Sequence, residues 1–342
     1  VLQSLKYTVF VLLGLFMAGH TYAQDSVTIQ TAEPTSAAPE TQYIRWVSQY
    51  PAQRASEVKE NAAKKIFNFL VQKDRQAGIS RPVAVVANAP GSFWVLDQGA
   101  QTILDIEKKK TLRPRQLRKK DNYFTSLVGA CAMPGGKVIF TDSRLNKVFI
   151  ISDEEKKLQE LADTFHFQQP TGVAYSSVTD EIWVVETGAH RISVFSHDGR
   201  LLRQIGERGN GPAQFNFPTS ISIDKNGDAY VVDAMNFRVQ IFNKAGQFVT
   251  AFGEPGDAGG SFARPKGIAT DSYGNIYVSD ALFHAVQIFD RKGNFLYSFG
   301  KQGREQGEFW MPAGLFIDSH NNIYVADSYN SRVQVFQLIN RT

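Results

Sequence analysis

The sequence predicts an all-β fold in which one four-stranded unit is used six times, and three observations predict it. First, the segments FNFPTSISIDKNGDAYVVDAMNFRVQIFNKAGQFVTAFG, FARPKGIATDSYGNIYVSDALFHAVQIFDRKGNFLYSFG and FWMPAGLFIDSHNNIYVADSYNSRVQVF align without gaps, and Asp233, Asp280 and Asp327 recur within them every 47 residues. Glu186, Asp142 and Asp97 hold the same place in three weaker upstream copies. Second, each copy alternates short β-branched and aromatic runs with Gly, Asn and Asp turns, as in GIATD, IYVSD, AVQIF and NFLYSFG of the fifth. Such runs suit pleated strands and such turns suit hairpins. Third, a four-stranded sheet repeated at this period cannot bury both faces alone, whereas ring closure lets each copy pack on two neighbours. The expectation is a six-bladed β-propeller of antiparallel blades, over about residues 81-338.

The segments before the blades read in order. In residues 1-23, Lys6 precedes an apolar run from Tyr7 to Ala18, and Thr21-Tyr22-Ala23 places small residues around a cleavage position. This is the pattern of a secretory signal peptide, and the run is short for a bilayer core of about 30 Å, which favours removal over anchoring. The expected location is therefore the periplasm or the cell exterior. Residues 24-42, rich in Thr, Ala, Pro, Ser and Glu, read as a disordered linker. Residues 43-342 form the propeller domain. Within it, Val58, Ala62, Ala63, Ile66, Phe67 and Leu70 fall at helical spacing and predict an amphipathic helix over 57-74 that packs on the propeller. The alternative is a membrane-surface helix, since Lys59, Lys64, Lys65 and Lys73 decorate it.

The repeated patterns F-x-x-P-x-G, Y-V-x-D and R-V-Q-[IV]-F resemble the NHL repeat, with Asn236, Arg238, Asn330 and Arg332 in its most characteristic places. The upstream copies depart from it: Gln101-Thr102 and Asn146-Lys147 stand where His-Arg is usual, and Glu186 replaces Asp. The sixth copy ends after its third strand with QLINRT, leaving an edge that a ring must close. The resemblance implies that an N-terminal strand completes it, and residues 43-50 are the candidate. Such repeats define a fold more than a function.

In a propeller the inner strands line the channel, so catalytic ligands are expected where each inner strand begins. Val83, Thr171, Thr219, Lys266 and Ala313 are the expected lining residues, with blade two's contribution near Leu127 to Gly129. They supply no ring of the His, Asp, Asn or Glu ligands that a Zn²⁺ or Ca²⁺ site needs. The resemblance brings in metal-dependent lyases and hydrolases, akin to amidating lyases or lactonases, as an alternative reading. His190 and His284 occupy equivalent loops of blades three and five, but Phe237 stands between them in blade four. The glycine-rich loops GERGNGPAQF, GEPGDAGGSF and GKQGREQGEF lack a phosphate-loop context and read as connectors anchored by Phe215, Phe262 and Phe309. Cys131 is the single cysteine and reads as a small core residue. No cofactor is expected.

Two features point to a partner instead. Met235, Phe237, Leu282, Phe283, His284 and Tyr329 lie on the loops after the second strands of blades four to six, where they form an apolar patch or tuck under the glycine loops. Lys108, Lys109, Lys110, Arg113, Arg115, Arg118, Lys119 and Lys120 form a basic run at the blade-one to blade-two connection. It is either a solvated face or an attraction for an acidic protein or polyanion. The formal net charge of +4 is too mild to imply nucleic acid. The repeated acids Asp97, Asp142, Glu186, Asp233, Asp280 and Asp327, with Arg191, Arg238 and Arg332, read as structural fasteners. The function expected is non-catalytic binding or scaffolding for another protein through one propeller face. The further alternative is service to an extracytoplasmic redox assembly.

Overall fold

The computed structural model describes residues 42–52, 78–89, 92–112, 124–152 and 158–340. Six four-stranded antiparallel sheets follow the chain as blades. Blade 1 comprises Pro82–Ala89, Ser92–Asp97, Thr102–Asp105 and Lys110–Leu112, and blade 2 Leu127–Met133, Lys137–Asp142, Lys147–Ser152 and Leu158–Glu160. Blade 3 comprises Pro170–Ser176, Glu181–Glu186, Arg191–Ser196 and Leu201–Ile205, and blade 4 Pro218–Ile223, Ala229–Asp233, Arg238–Phe242 and Phe248–Phe252. Blade 5 comprises Pro265–Thr270, Ile276–Asp280, Ala285–Phe289 and Phe295–Phe299. The inner strands contact one another in sequence, and that of blade 6 contacts that of blade 1, so the ring is closed.

Blade 6 takes three strands from the end of the chain, Pro312–Ile317, Asn322–Asp327 and Arg332–Asn340, and its outer strand, Gln42–Tyr50, from the beginning. Gln42 pairs with Asn340 and Tyr50 with Val333, with one bulge between Trp46 and Ser48. Ile44 is buried beside Phe336 and Leu338, and the Trp46 indole donates to Gln334 at 3.0 Å. Gln42, placed at the end of the linker by its composition, already belongs to this strand. The expected signal at 1-23, the rest of the linker and the helix at 57-74 lie outside the described residues.

The core is distributed between blades. Among the described residues, one apolar cluster fills each junction; the junction of blades 3 and 4, for example, holds Trp183, Val194, Phe215, Val231 and Phe242. The second strand of every blade is buried on both faces, which explains its near-continuous apolar sequence, as in EIWVVE or NIYVAD. At the ring's centre the inner strands run so close that a side chain is excluded. A Cβ on Gly267 would stand 2.4 Å from the Ala313 carbonyl oxygen, and one on Gly129 2.2 Å from that of Thr171. Ser279 adds a bridge there, accepting the Gly267 N–H at 2.8 Å and donating to the Ala313 carbonyl at 2.5 Å.

Candidate functional site

The repeated acids are fasteners, with a wider reach than their own hairpins. Asp280 is completely buried. Its oxygens accept the N–H groups of Leu282 and Phe283 in its own loop, at 3.0 and 3.2 Å, and those of Ala263 and Arg264 in the connection entering the blade, at 2.8 and 3.0 Å. Asp97, Asp142, Glu186, Asp233 and Asp327 likewise accept N–H groups from the connection 16 to 18 residues upstream. Arg238 and Arg332 each give Nε to their blade's aspartate and further donors to carbonyls of the glycine-rich loop, Gly211 and Gln214 for one and Glu305 and Glu308 for the other. Arg191 pairs with Glu186 at 2.9 Å. Phe215, Phe262 and Phe309 anchor those loops with no exposed surface.

His190 and His284 are connectors too. Each occupies a left-handed backbone position, with φ of 53° and 55°. Their Nδ1 atoms accept the N–H of Phe217 and Met311 respectively, both at 3.1 Å, across to the following blade. Asn146 does the same for Gln169 at 2.8 Å. Asp280 and His284, four residues apart, serve different parts of the backbone, the first its own loop and the connection entering the blade, the second the entrance to blade 6.

Val83, Thr171, Thr219, Lys266 and Ala313 do line the channel, and Val128 is blade 2's contribution. They enclose a cavity of about 500 Å³ open on the face that carries the loops after the second strands. Among the described residues no group of three His, Cys, Asp or Glu side chains is placed to hold a metal ion. Cys131 packs against the apolar cluster between blades 2 and 3, and burial pushes its thiol up to about 12, against a weaker opposing hydrogen bond from the Tyr175 backbone.

The channel's rim is two-sided. Over blades 1 to 3 it is polar: Arg81, Gln98, Gln101, Arg144, Asn146 and Gln169 border a shallow hollow that continues into the channel. Over blades 4 to 6 it is apolar, since Met235, Leu282 and Tyr329 are 56%, 53% and 54% exposed at equivalent loop positions. Phe237, Phe283 and His284 are only half-buried neighbours, and Phe237 packs against the cluster around Phe262. Sequence reading missed Phe217, which is 42% exposed and packs on His190, and Met311, which borders the channel beside Tyr329. Both immediately precede the proline that opens an inner strand, and that repeated position was the signal available.

The basic run needs a correction of place. Lys108 and Lys109 lie in the turn before the outer strand of blade 1 and Lys110 begins that strand. Successive antiparallel strands put that turn on the face opposite the channel mouth, so these three do not belong to the connection between blades. Arg113, Arg115, Arg118, Lys119 and Lys120 lie outside the described residues.

With its four-stranded blades and closed ring, the chain is a six-bladed β-propeller. Family models agree: one described as a six-bladed beta-propeller matches residues 158–236, and the NHL repeat matches residues 309–336. A curated relative, Protein brain tumor of Drosophila melanogaster, is 38% identical over 66 residues, which are 19% of this chain. The match spans only 6% of that protein's length. Among solved structures, a streptogramin B lyase superposes with a TM-score of 0.56 at 14% identity, covering 77% of this chain and 95% of the other. An auxiliary nutrient binding protein from Bacteroides thetaiotaomicron gives 0.59 at 14% identity, covering 76% and 70%. A gluconolactonase from Xanthomonas campestris gives 0.57 at 13%, covering 77% and 87%. At these identities the likeness is one of fold.

Proposed function

We propose that this propeller is an exported, non-catalytic binding module that takes another protein on its channel-mouth face, over blades 4 to 6. The observation that carries the reading is the exposure, by more than half, of Met235, Leu282 and Tyr329 at equivalent positions of three consecutive blades. Isolated exposed apolar residues are ordinary, but large ones aligned beside a concave mouth offer the anchors that interfaces bury. Trp310 extends the surface: its ring lies 6.1 Å from that of Tyr329, and the Arg304 guanidinium lies 5.2 Å from its centroid. Structural neighbours include binding proteins and lyases, so the fold alone favours neither. What favours binding is the chemistry of the channel positions, which among the described residues supply aliphatic, hydroxyl and one ammonium group. A metal-dependent lyase or hydrolase needs converging imidazoles and carboxylates. Export rests on the sequence pattern of residues 1-23.

The test compares proteins retained from an envelope or culture-supernatant fraction by the wild type and by Met235→Asp/Leu282→Asp/Tyr329→Asp. A protein held by the first and lost by the second, with both melting alike, supports the reading. Equal retention by both, or none by either at low salt, removes it.

A further inference from the structure

Among the described residues, the channel cavity is bordered by Arg81, Arg264 and Lys266 and by no carboxylate. Arg81 is partly committed, donating to the Gln98 side chain at 2.7 Å. Lys266 projects from the inner strand of blade 5 at the position where the other blades place Val83, Val128, Thr171, Thr219 and Ala313. Among the described residues no acid forms an ion pair with it. The acid that most influences it, Asp280, is buried and occupied by four backbone N–H groups. Burial therefore lowers the Lys266 pKa, the Arg264 charge lowers it further, and Asp280 opposes both incompletely. An ammonium removed from water without a counter-ion is costly, and apolar walls strengthen its attraction for any anion that enters.

We propose that the channel mouth binds a small carboxylate, with Lys266 as its counter-ion. A monoanion matches the single ammonium on the channel wall; a phosphate dianion calls for several donors converging on one point, and the two bordering arginines come from blades 1 and 5, with Arg81 already donating to Gln98. The carboxylate belongs either to a free organic acid or to the C-terminus of a peptide chain, and a cavity of about 500 Å³ admits both. This site goes beyond the protein-binding reading, because it lies inside the ring rather than on the apolar rim.

The experiment uses the full chain and three probes: butyrate, N-acetyl-tetra-alanine with a free C-terminus, and the same peptide amidated. Affinity is read by calorimetry. Occupancy is read separately, as protection of Lys266 from an amine-acylating ester at pH 8, measured by peptide mass spectrometry. The expected result is that butyrate or the free-ended peptide binds and protects Lys266, and that Lys266→Met weakens binding at least tenfold while melting no lower than the wild type. Butyrate binding identifies the free acid as sufficient; binding by the free-ended peptide alone identifies a chain end. Met235→Asp/Leu282→Asp/Tyr329→Asp should keep carboxylate binding, which separates this site from the rim. The proposal is overturned if neither carboxylate protects Lys266, if Lys266→Met binds as the wild type does, or if the amidated peptide binds as well as the free one.

Discussion

The Nδ1 of His284 in blade 5 accepts the backbone N–H of Met311 at the entrance to blade 6, at 3.1 Å. The acceptor role fixes the tautomer with the proton on Nε2. His190 and Phe217 repeat the arrangement between blades 3 and 4. Either histidine replaced by alanine leaves that N–H to find water, so each of His190→Ala and His284→Ala should lower unfolding free energy by about 1 kcal/mol in urea titrations. A loss of bound metal with no change in stability would contradict the connector role.

Asp280→Ala removes the acceptor for four backbone N–H groups and should cost about 1 to 3 kcal/mol, or somewhat more if water cannot replace it. Asp280→Asn keeps one acceptor oxygen and should fall between. Equilibrium denaturation orders the three proteins, and an unchanged midpoint for Asp280→Ala would refute the fastener.

How much of this was legible follows from what repeats. The 47-residue spacing and the aspartates fixed the blades, and strand alternation then placed Val83, Thr171, Thr219, Lys266 and Ala313 in the channel. That worked because hairpin register and a period of two determine which side chain faces inward. The contacts between blades were less legible. Asn146, His190 and His284 look unrelated as residue types, yet they share a left-handed backbone and an acceptor atom, properties that appear only after ring closure. The same holds for Asp280, whose partners Ala263 and Arg264 come from a connection that the chain folds back over the blade. Lys108 to Lys110 were misplaced because the outer strand of blade 1 begins earlier than the charge pattern suggests.

Glu181 and Arg203 predict a pH dependence. The guanidinium meets the carboxylate with two hydrogen bonds, 2.6 and 2.7 Å, while lying 5.2 Å from the centroid of the Trp183 ring. Burial works to raise the Glu181 pKa, but hydrogen bonds from Arg203, Thr179 and Trp183, with the Arg203 charge, outweigh it and hold the group below the usual range. A depressed carboxylate binds fewer protons folded than unfolded. Its stabilisation is present above the ordinary value of about 4.3 and is lost as pH falls through the folded value. After discounting for solvent screening, the wild type should exceed Glu181→Gln by about 1 kcal/mol or less at pH 7. The gap should close in urea titrations carried below pH 4; a gap independent of pH would assign it to packing.

Closure of the ring by Gln42–Tyr50 predicts a long-range effect from a short segment. Ile44 is 5% exposed and packs among Phe336, Leu338 and Ile323, all from the other end of the chain. Ile44→Ala should cost about 2 to 4 kcal/mol through lost burial and the cavity left behind. Hydrogen exchange should then speed up most in Arg332–Asn340, the strand that loses its cover, and exchange confined to the N-terminal strand would argue against shared closure.

Gly267 tests whether the channel's width is set by the backbone or by its side chains. Its Cβ direction meets the Ala313 carbonyl oxygen at 2.4 Å and the Leu315 nitrogen at 2.7 Å, both backbone atoms of the next blade that no rotamer change can move. The same close approach occurs at Gly129, Gly172 and Gly314, so the third residue of the inner strand is where neighbouring blades meet most tightly. A methyl group there must push blades 5 and 6 apart, which also strains the Ser279 bridge between them. Gly267→Ala should therefore destabilise by about 1 to 3 kcal/mol, as overpacking does. Lys266→Ala, one residue away, removes a half-buried side chain that lines the channel and should not lower stability by more than about 0.5 kcal/mol. Thermal unfolding of the two variants separates the explanations: if both changes cost the same, the inner strand is merely intolerant of substitution, and the backbone contact does not set the ring.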